Sequence, residues 1–181
     1  QGSRYDGDGN LNSWWTDADR ARFEELTAKL ISQYDGLVPS VLSGRGEIRG
    51  VNGEFTLGEN IGDLGGLGIA VVAYKDYLAE QGLDPATDQG PVRTFHAPGA
   101  SDAIDGQEFT GLQRLFLAWA RVWRTAIRPE MAAQYLAIDP HSPSEFRCNV
   151  VASNIAEFYE AFPDAAEAPD AVAEADRVVI W

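Results

Sequence analysis

The sequence predicts a mainly α-helical domain that carries one small β-hairpin. Apolar residues recur at spacings of three and four along much of the chain, which is the periodicity of helices with one buried face. One Asn-Gly pair between short β-prone runs is typical of a two-residue hairpin turn. The chain has 181 residues, of which 45% are hydrophobic, and this is enough apolar material for one packed domain.

The first helix is expected to follow Trp14-Trp15. Thr16 is a suitable N-cap, and Gly36 supplies the stop signal. Between them, four apolar side chains recur at helical spacing: Phe23, Leu26, Leu30 and Tyr34. We therefore predict a helix with one buried face in this segment.

The next part of the chain changes character twice. Segment 46–56 contains Asn52-Gly53, where we expect the turn of the hairpin. A second helix is predicted from Thr56 to about Leu83. The following stretch, 82–105, is rich in Pro, Gly, Asp and Ser, and it indicates a long surface loop.

Three further helices are predicted in the second half. A broad apolar stripe forms the third helix of the chain and ends near Pro129. Its members are Leu112, Leu115, Phe116, Trp119, Val122, Trp123 and Ile127. A short helix is expected over 131–136, and a final one over 141–162 that Pro143 helps to open. The inward positions of that final helix are Phe146, Val150, Ile155 and Phe158. From Pro163 up to the closing RVVIW we expect a loose, acidic surface segment.

The charge balance argues against several kinds of partner. The chain has 28 acidic and 14 basic residues, a formal net charge of −14, which repels nucleic acid and anionic membrane surfaces. No apolar run of about 18 residues is present, so no membrane segment is expected. Cys148 has no second cysteine to pair with, and no signal segment is seen, so a cytoplasmic location is slightly favoured.

Two carboxylates stand out in the segment GENIGD. Glu59 and Asp63 lie four positions apart, so a helix places both on one face. A row of small residues at spacing four runs alongside them: Gly58, Gly62, Gly66 and Ala70. Such a row would let another element approach the backbone closely and hold the carboxylates rigidly beside it. The spacing alone leaves an alternative open, in which Thr56 and Glu59 form a capping box and Asp63 is merely solvated.

The segment GENIGDLGGLG resembles the second zinc motif of the neprilysin family, peptidase family M13. Further blocks match in family order: DGDGNLNSWWT, VNGEFTLGENIGD, FLAWARVWR, RPE, IDPHSPSEFR and the closing Trp181. The resemblance implies that residues 1–181 form the C-terminal, distal part of a thermolysin-like (zincin) catalytic domain. The family's HExxH helix supplies two histidine ligands and a general base. This chain contains only His96 and His141 and no such motif, so we expect a fragment whose HExxH segment lies just before Gln1.

The same resemblance assigns roles around the zinc. It makes Glu59 the third zinc ligand and Asp63 the carboxylate that orients a ligating histidine. It makes His141 the donor that hydrogen-bonds the oxyanion, with Asp139 as a candidate to hold its ring. Read without the family, His141 is an ordinary residue at a helix start. His96 matches nothing in the family pattern and stays unassigned.

Three residues are implied to bind substrate. Arg147 matches the arginine that binds the substrate's backbone carbonyl on the leaving-group side, and its alternative is an ion pair with Glu145 or Glu157. Val122 and Trp123 match residues that line the pocket for the first side chain after the cut, although aromatics at helical spacing are more often core residues.

The resemblance implies a zinc metalloendopeptidase that acts through metal-activated water. One glutamate cannot form a catalytic zinc site, so the chain alone is expected to bind Zn²⁺ weakly and to hydrolyse nothing. The expected partners are peptide substrates and the missing N-terminal part of the same protein. Two alternatives stay open: a non-catalytic helical module that binds peptides or proteins, and a two-chain protein in which a second polypeptide supplies the histidine helix.

Overall fold

A computed structural model describes residues 3–85, 88–91 and 108–180. The helices are α1 (Asp17–Tyr34), α2 (Gly53–Glu80), α3 (Gly111–Val122), α4 (Pro129–Ile138), α5 (Ser144–Ser153) and α6 (Ala156–Ala161). Short 3-10 helices cover Ser40–Leu42, Pro163–Glu167 and Glu174–Asp176. The predicted mainly helical class is therefore confirmed. The loop predicted over 82–105 falls largely outside the described residues, and so does His96.

Helix α1 begins and ends as the sequence predicts. The hydroxyl of Thr16 accepts a hydrogen bond from the backbone N–H of Asp19, which caps the first turn. After the helix, Gly36 adopts a φ of +79°, a conformation that favours glycine.

The hairpin predicted at Asn52-Gly53 is wrong. The side chain of Asn52 accepts a hydrogen bond from the N–H of Phe55 at 3.0 Å, so it caps α2, and Gly53 is the first residue of that helix. An asparagine serves a helix N-terminus as readily as a turn, and the helical pattern that follows decides between them. The small sheet lies elsewhere, where β1 (Asp88–Pro91) pairs antiparallel with β2 (Glu108–Thr110).

Close backbone approach occurs at the start of α2. A Cβ atom on Gly53 would lie 2.4 Å from the carbonyl oxygen of Ile31 in α1. The N–H of Gly53 also donates to the carboxylate of Asp35 at 3.0 Å. Helices α1 and α2 therefore meet at a point where only glycine fits.

The predicted row of small residues has a different environment. Added Cβ atoms on Gly58, Gly62 and Gly66 would meet no atom within 4 Å, so nothing in the described part of the chain packs on this row. The described residues contain no close neighbour for this row, and an element from outside them stays a prediction.

The capping-box alternative is also wrong. Thr56 is buried inside α2, and its hydroxyl donates to the carbonyl of Asn52 one turn earlier. Since Asn52 already caps the helix, Glu59 is not needed for capping. Its carboxylate is available for another role.

The core forms where α2 packs between α1 and α5 and where α3 packs against α6. Apolar side chains from all of these helices meet there: Leu30, Tyr34, Val51, Leu64, Leu67, Val71, Leu112, Phe116, Phe146, Val151, Ala152, Ala161 and Val178. This packing fixes α2 as the central helix, and one of its faces carries the two carboxylates.

The final predicted helix is divided in two. Asn154 ends α5, and its buried side chain exchanges hydrogen bonds with Gln33 of α1 and accepts one from the N–H of Val178. The segment predicted as loose, between Pro163 and the closing RVVIW, is held in part by a bond from the N–H of Val172 to the hydroxyl of Tyr159 at 3.0 Å. Periodicity alone did not reveal the break, because the apolar spacing continues through it.

Among the described residues, none of the helices combines the length and apolar character that crossing a bilayer requires.

Candidate functional site

The candidate site lies where α2 meets the segment that joins α4 to α5. Helix α2 presents Glu59 and Asp63 on one face, one turn apart. His141 comes from the joining segment, and Arg147 from the end of the first turn of α5. Four of the six predicted site residues are thus brought together from distant parts of the sequence, and a fifth, Trp123, contacts Arg147.

His141 lies between two carboxylates. Its Nε2 atom is 3.2 Å from Oε2 of Glu59, and its Nδ1 atom is 2.7 Å from Oδ1 of Asp139. The same Oδ1 atom accepts the backbone N–H of His141 at 2.9 Å, and this bond is the main cause that lowers the pKa of Asp139. The contact expected between Asp139 and the ring is present, and it turns the other ring nitrogen toward Glu59.

Asp63 and Arg147 form a two-bond ion pair. Nε of Arg147 donates to Oδ2 of Asp63 at 2.6 Å, and Nη2 donates to Oδ1 at 2.8 Å. The side chains are only 11% and 19% exposed, respectively, so water screens the pair weakly. The hydrogen bonds from Arg147 to Asp63 raise the pKa of the guanidinium above its ordinary value.

The ion pairs proposed as alternatives for Arg147 are wrong. Glu145 instead accepts hydrogen bonds from the N–H and hydroxyl of Ser40. Glu157 accepts one from Lys75 at 2.8 Å.

The two predicted pocket residues have different environments. The guanidinium carbon of Arg147 lies 4.1 Å from the centroid of the Trp123 ring, a cation–π contact. Val122 is 69% exposed and does not join the cluster. Trp123 therefore contacts Arg147 directly, a contact that the sequence pattern did not predict.

Four buried polar residues lie under the site, and sequence reasoning gave none of them a role there. The hydroxyl of Ser142 donates to Oδ1 of Asn60, and Nδ2 of Asn60 donates to the hydroxyl of Thr56. Tyr34 is fully buried, its hydroxyl has no hydrogen-bond partner among the described residues, and burial followed by the charge of Asp63 raises its pKa. The available signal was position, since Asn60 follows Glu59 directly and Ser142 follows His141.

A cavity of about 390 Å³ opens beside His141 and Arg147. Its walls are mostly apolar and come from α4, from the segment before it and from the Ser40–Leu42 turn, with Ile127, Met131, Tyr135 and Val41 as the larger contributors. A cavity of this size, with polar groups at one end, can accept an apolar side chain.

The donor set for a metal is incomplete within the described residues. No three of their His, Cys, Asp and Glu side chains are grouped as a metal site. A catalytic zinc takes three protein ligands. Glu59 is about half exposed and is a suitable carboxylate ligand, so it fits as one member of a set whose other members come from outside these residues. The roles assigned to the six site residues stay predictions.

Comparison with known proteins gives a consistent family assignment. A family model described as peptidase family M13 matches residues 1–178. Neprilysin-1 of Caenorhabditis elegans is 35% identical over 180 residues, which are 99% of this chain and 21% of that protein. Endothelin-converting enzyme 1 of Bos taurus is 37% identical over 162 residues, which are 90% of this chain and 18% of that protein.

A solved structure has the same fold. The zinc metalloprotease Zmp1 of Mycobacterium tuberculosis, in complex with an inhibitor, superposes with a TM-score of 0.76 and 43% sequence identity. The match covers 100% of this chain and 24% of that one. The chain spans about a fifth of the length of the curated relatives it matches.

Proposed function

Because this chain belongs to peptidase family M13, we propose that the intact protein is a zinc-dependent metalloendopeptidase that hydrolyses peptide bonds. The observation that carries the proposal is the contact between Glu59 and His141, which lie in two separate family motifs and meet at 3.2 Å. When bound, zinc supplies an activated water molecule and a Lewis acid for the peptide carbonyl. Binding the peptide, stabilising the oxyanion and orienting the zinc ligands depend on side chains, several of which lie in this chain.

Glu59 is proposed as the zinc ligand that this chain provides. Its carboxylate is about half exposed on the open face of α2, so a metal can reach it. The glycines on the same face leave the helix backbone accessible, which supports the approach of an element carrying further ligands. We propose that this element is the histidine helix of the upstream segment.

His141 is proposed to donate a hydrogen bond to the oxyanion that forms during peptide hydrolysis. Asp139 contacts Nδ1, so Nε2 is aimed toward Glu59 and the space beside it. A donor fixed in this way needs no reorganisation when charge develops on the substrate.

Arg147 is proposed to bind a backbone carbonyl of the peptide on the leaving-group side. Asp63 uses two of the five N–H donors of the guanidinium, and Trp123 covers one face of the group. The remaining donors are free to bind a carbonyl from a fixed orientation. Asp63 retains unused lone pairs, which supports the further proposal that it orients a histidine ligand of the zinc.

The cavity beside His141 and Arg147 supports a peptide substrate. An apolar side chain would fit its volume while the adjoining polar groups hold the peptide backbone. We propose peptides with an apolar residue near the cut as substrates. The 181-residue chain alone is proposed to bind zinc weakly and to lack activity, since it provides one ligand of the three required.

The test is zinc content and peptide hydrolysis in the intact protein, with Glu59→Ala compared with the unchanged sequence. We expect about one zinc per protein, with both zinc and activity falling at least tenfold on substitution. Glu54→Ala is the matched control, because Glu54 is an exposed glutamate in the first turn of the same helix. Both quantities should be unchanged in that variant.

Two outcomes would contradict the proposal. Zinc content unaffected by Glu59→Ala would mean that Glu59 is not a ligand. Absence of zinc from the unsubstituted intact protein would favour the non-catalytic binding module.

A further inference from the structure

We propose that Asn60 and Ser142 are positioning residues, which hold His141 against Glu59 through a buried hydrogen bond. This inference rests on the proposed peptidase function, and it assigns a role to two side chains that do not themselves contact substrate or metal. Asn60 directly follows Glu59 in the sequence, and Ser142 directly follows His141. The buried bond between Ser142 and Asn60 therefore lies next to the exposed contact between His141 and Glu59.

The bond itself is well buried. Oγ of Ser142 donates to Oδ1 of Asn60 at 2.8 Å, across 82 positions of sequence. Asn60 is 1% exposed and Ser142 is 4% exposed. A polar pair in such a place is costly if either partner is lost, so the geometry of the bond strongly constrains both segments.

The bond continues into a chain of donors that all run in one direction. Nδ2 of Asn60 donates to the hydroxyl of Thr56 at 3.1 Å, and that hydroxyl donates to the carbonyl of Asn52. The hydroxyl of Thr56 thus accepts one hydrogen bond and donates one. This order fixes the rotamer of Asn60 from within α2, so Oδ1 is presented to Ser142 in a single orientation.

Adjacency transmits this constraint to the site. Successive residues of a helix point about 100° apart, which lets Asn60 face the core while Glu59 faces outward. Consecutive Cα atoms are about 3.8 Å apart, so a displacement of Ser142 also moves His141. The buried bond therefore fixes the backbone of His141 at the level of Glu59.

The ion pair between Asp63 and Arg147 does not replace this link. It attaches α5 to α2, but Arg147 lies inside α5, beyond the N-cap residue Pro143. The hydrogen bond from His141 to Asp139 is local to the joining segment and does not reach α2. Apart from the contact of His141 with Glu59 itself, the bond from Ser142 to Asn60 is the polar contact within the described residues that joins this segment to α2.

The first test is Ser142→Ala in the intact protein. We expect kcat for a peptide substrate to fall about tenfold, with KM within about twofold and zinc content unchanged, because a misplaced donor weakens mainly the transition state. Ser153→Ala is the control, since Ser153 is also buried and lies on α5. It should leave kcat unchanged.

A double-mutant cycle with His141→Ala separates positioning from general structural damage. If Ser142 acts through His141, then Ser142→Ala should lower kcat less than about twofold once His141 has been removed. A full tenfold loss in that background would overturn the inference. So would an unchanged kcat for Ser142→Ala alone.

Hydrogen exchange provides a readout that does not depend on activity. We expect Ser142→Ala to accelerate amide exchange in segment 139–143, including the N–H of His141. The exchange rates within α5 should be unchanged. If the unsubstituted protein has no peptidase activity, the proposed function fails and this measurement alone decides the positioning inference. Unchanged exchange in 139–143 would overturn it.

A second variant covers the case in which Ser142→Ala does not fold. Ser142→Cys keeps nearly the same volume and weakens the hydrogen bond, since a thiol is a poor donor. We expect kcat to fall and amide exchange over 139–143 to accelerate, each by less than in Ser142→Ala. Absence of both changes would overturn the inference.

Discussion

Arg147 donates a hydrogen bond to each carboxylate oxygen of Asp63, while Glu59, one turn earlier on the same helix, faces the imidazole of His141. The two like charges on α2 therefore have separate partners. This arrangement explains how two carboxylates can lie four residues apart on one helix face, where they would otherwise repel each other. It also divides the site into an enclosed ion pair and a more exposed pair that is accessible to a metal or a substrate.

The enclosed ion pair should contribute to the stability of the fold. We expect Arg147→Ala to lower the free energy of unfolding by about 3 kcal/mol, because it leaves Asp63 charged and poorly solvated. Arg22→Ala is the matched control, since Arg22 pairs with Glu25 at 2.7 Å on the exposed surface and should cost less than about 1 kcal/mol. Urea denaturation of the chain measures both. Equal losses would show that burial does not govern the strength of this pair.

Two glycines of α2 should respond in opposite ways to alanine. Gly62→Ala should raise the free energy of unfolding by up to about 1 kcal/mol, because its Cβ meets open space and alanine favours the helix. Gly53→Ala should lower it by about 2 kcal/mol, because its Cβ would lie 2.4 Å from the carbonyl oxygen of Ile31. Thermal denaturation of the two variants tests the contrast. A destabilising Gly62→Ala would mean that another element covers that position.

Asn154 should be among the polar residues whose substitution destabilises the fold most. Asn154→Ala removes the acceptor for the buried N–H of Val178 and the partner of Gln33, so we expect a loss of about 3 kcal/mol in unfolding free energy. Asn12→Ala, on the surface, should cost less than about 0.5 kcal/mol. Chemical denaturation compares the two. A loss below about 1 kcal/mol at Asn154 would contradict the role given to this residue.

Asp139 should contribute to the pH dependence of stability. Its pKa is lowered in the folded protein, first by the N–H of His141, so the ionised carboxylate stabilises the fold. That contribution is fully present above the ordinary pKa of 3.8 and is lost as pH falls through the lower folded value. The variant Asp139→Asn lacks this contribution. Its free energy of unfolding should therefore fall furthest below that of the unsubstituted chain near neutral pH.

Unfolding free energies measured at about pH 6 and about pH 2 give the size of the effect. The difference in unfolding free energy between the unsubstituted chain and Asp139→Asn should be smaller at the lower pH. Asp164→Asn is the control, because Asp164 lies exposed on the surface. A gap that stays constant with pH would mean that ionisation of Asp139 does not matter to the fold.

Features set by local chemistry could be predicted from the sequence. Thr16 caps α1 as expected, and Glu59 and Asp63 do share a face of α2, because helical geometry determines both relationships. Asn52-Gly53 was ambiguous on the same grounds. An asparagine can begin a turn or cap a helix, and the long helical segment that follows Asn52 and packs against α1 favours the cap.

Contacts between distant segments could not be predicted in this way. Periodicity does not specify that Arg147 meets Asp63 and Trp123, or that Ser142 meets Asn60, because these pairs depend on how the helices pack. Resemblance to a family selected the candidate site residues without giving their contacts. Spacing can also suggest a contact that the structure does not contain. The spacing of Gly58, Gly62 and Gly66 suggested a close neighbour, and the described residues provide none.

The hydrogen bonds of Gln33 bear on how quickly this domain can form. Its side chain contacts Asn154, 121 positions further along, and the carbonyl of Asp176, 143 positions further along. Closing such large loops costs chain entropy before any contact is gained, and domains rich in distant contacts fold slowly. Helix α1 can therefore form and pack against α2 early, but these two hydrogen bonds of Gln33 form only when the last segments of the domain join it.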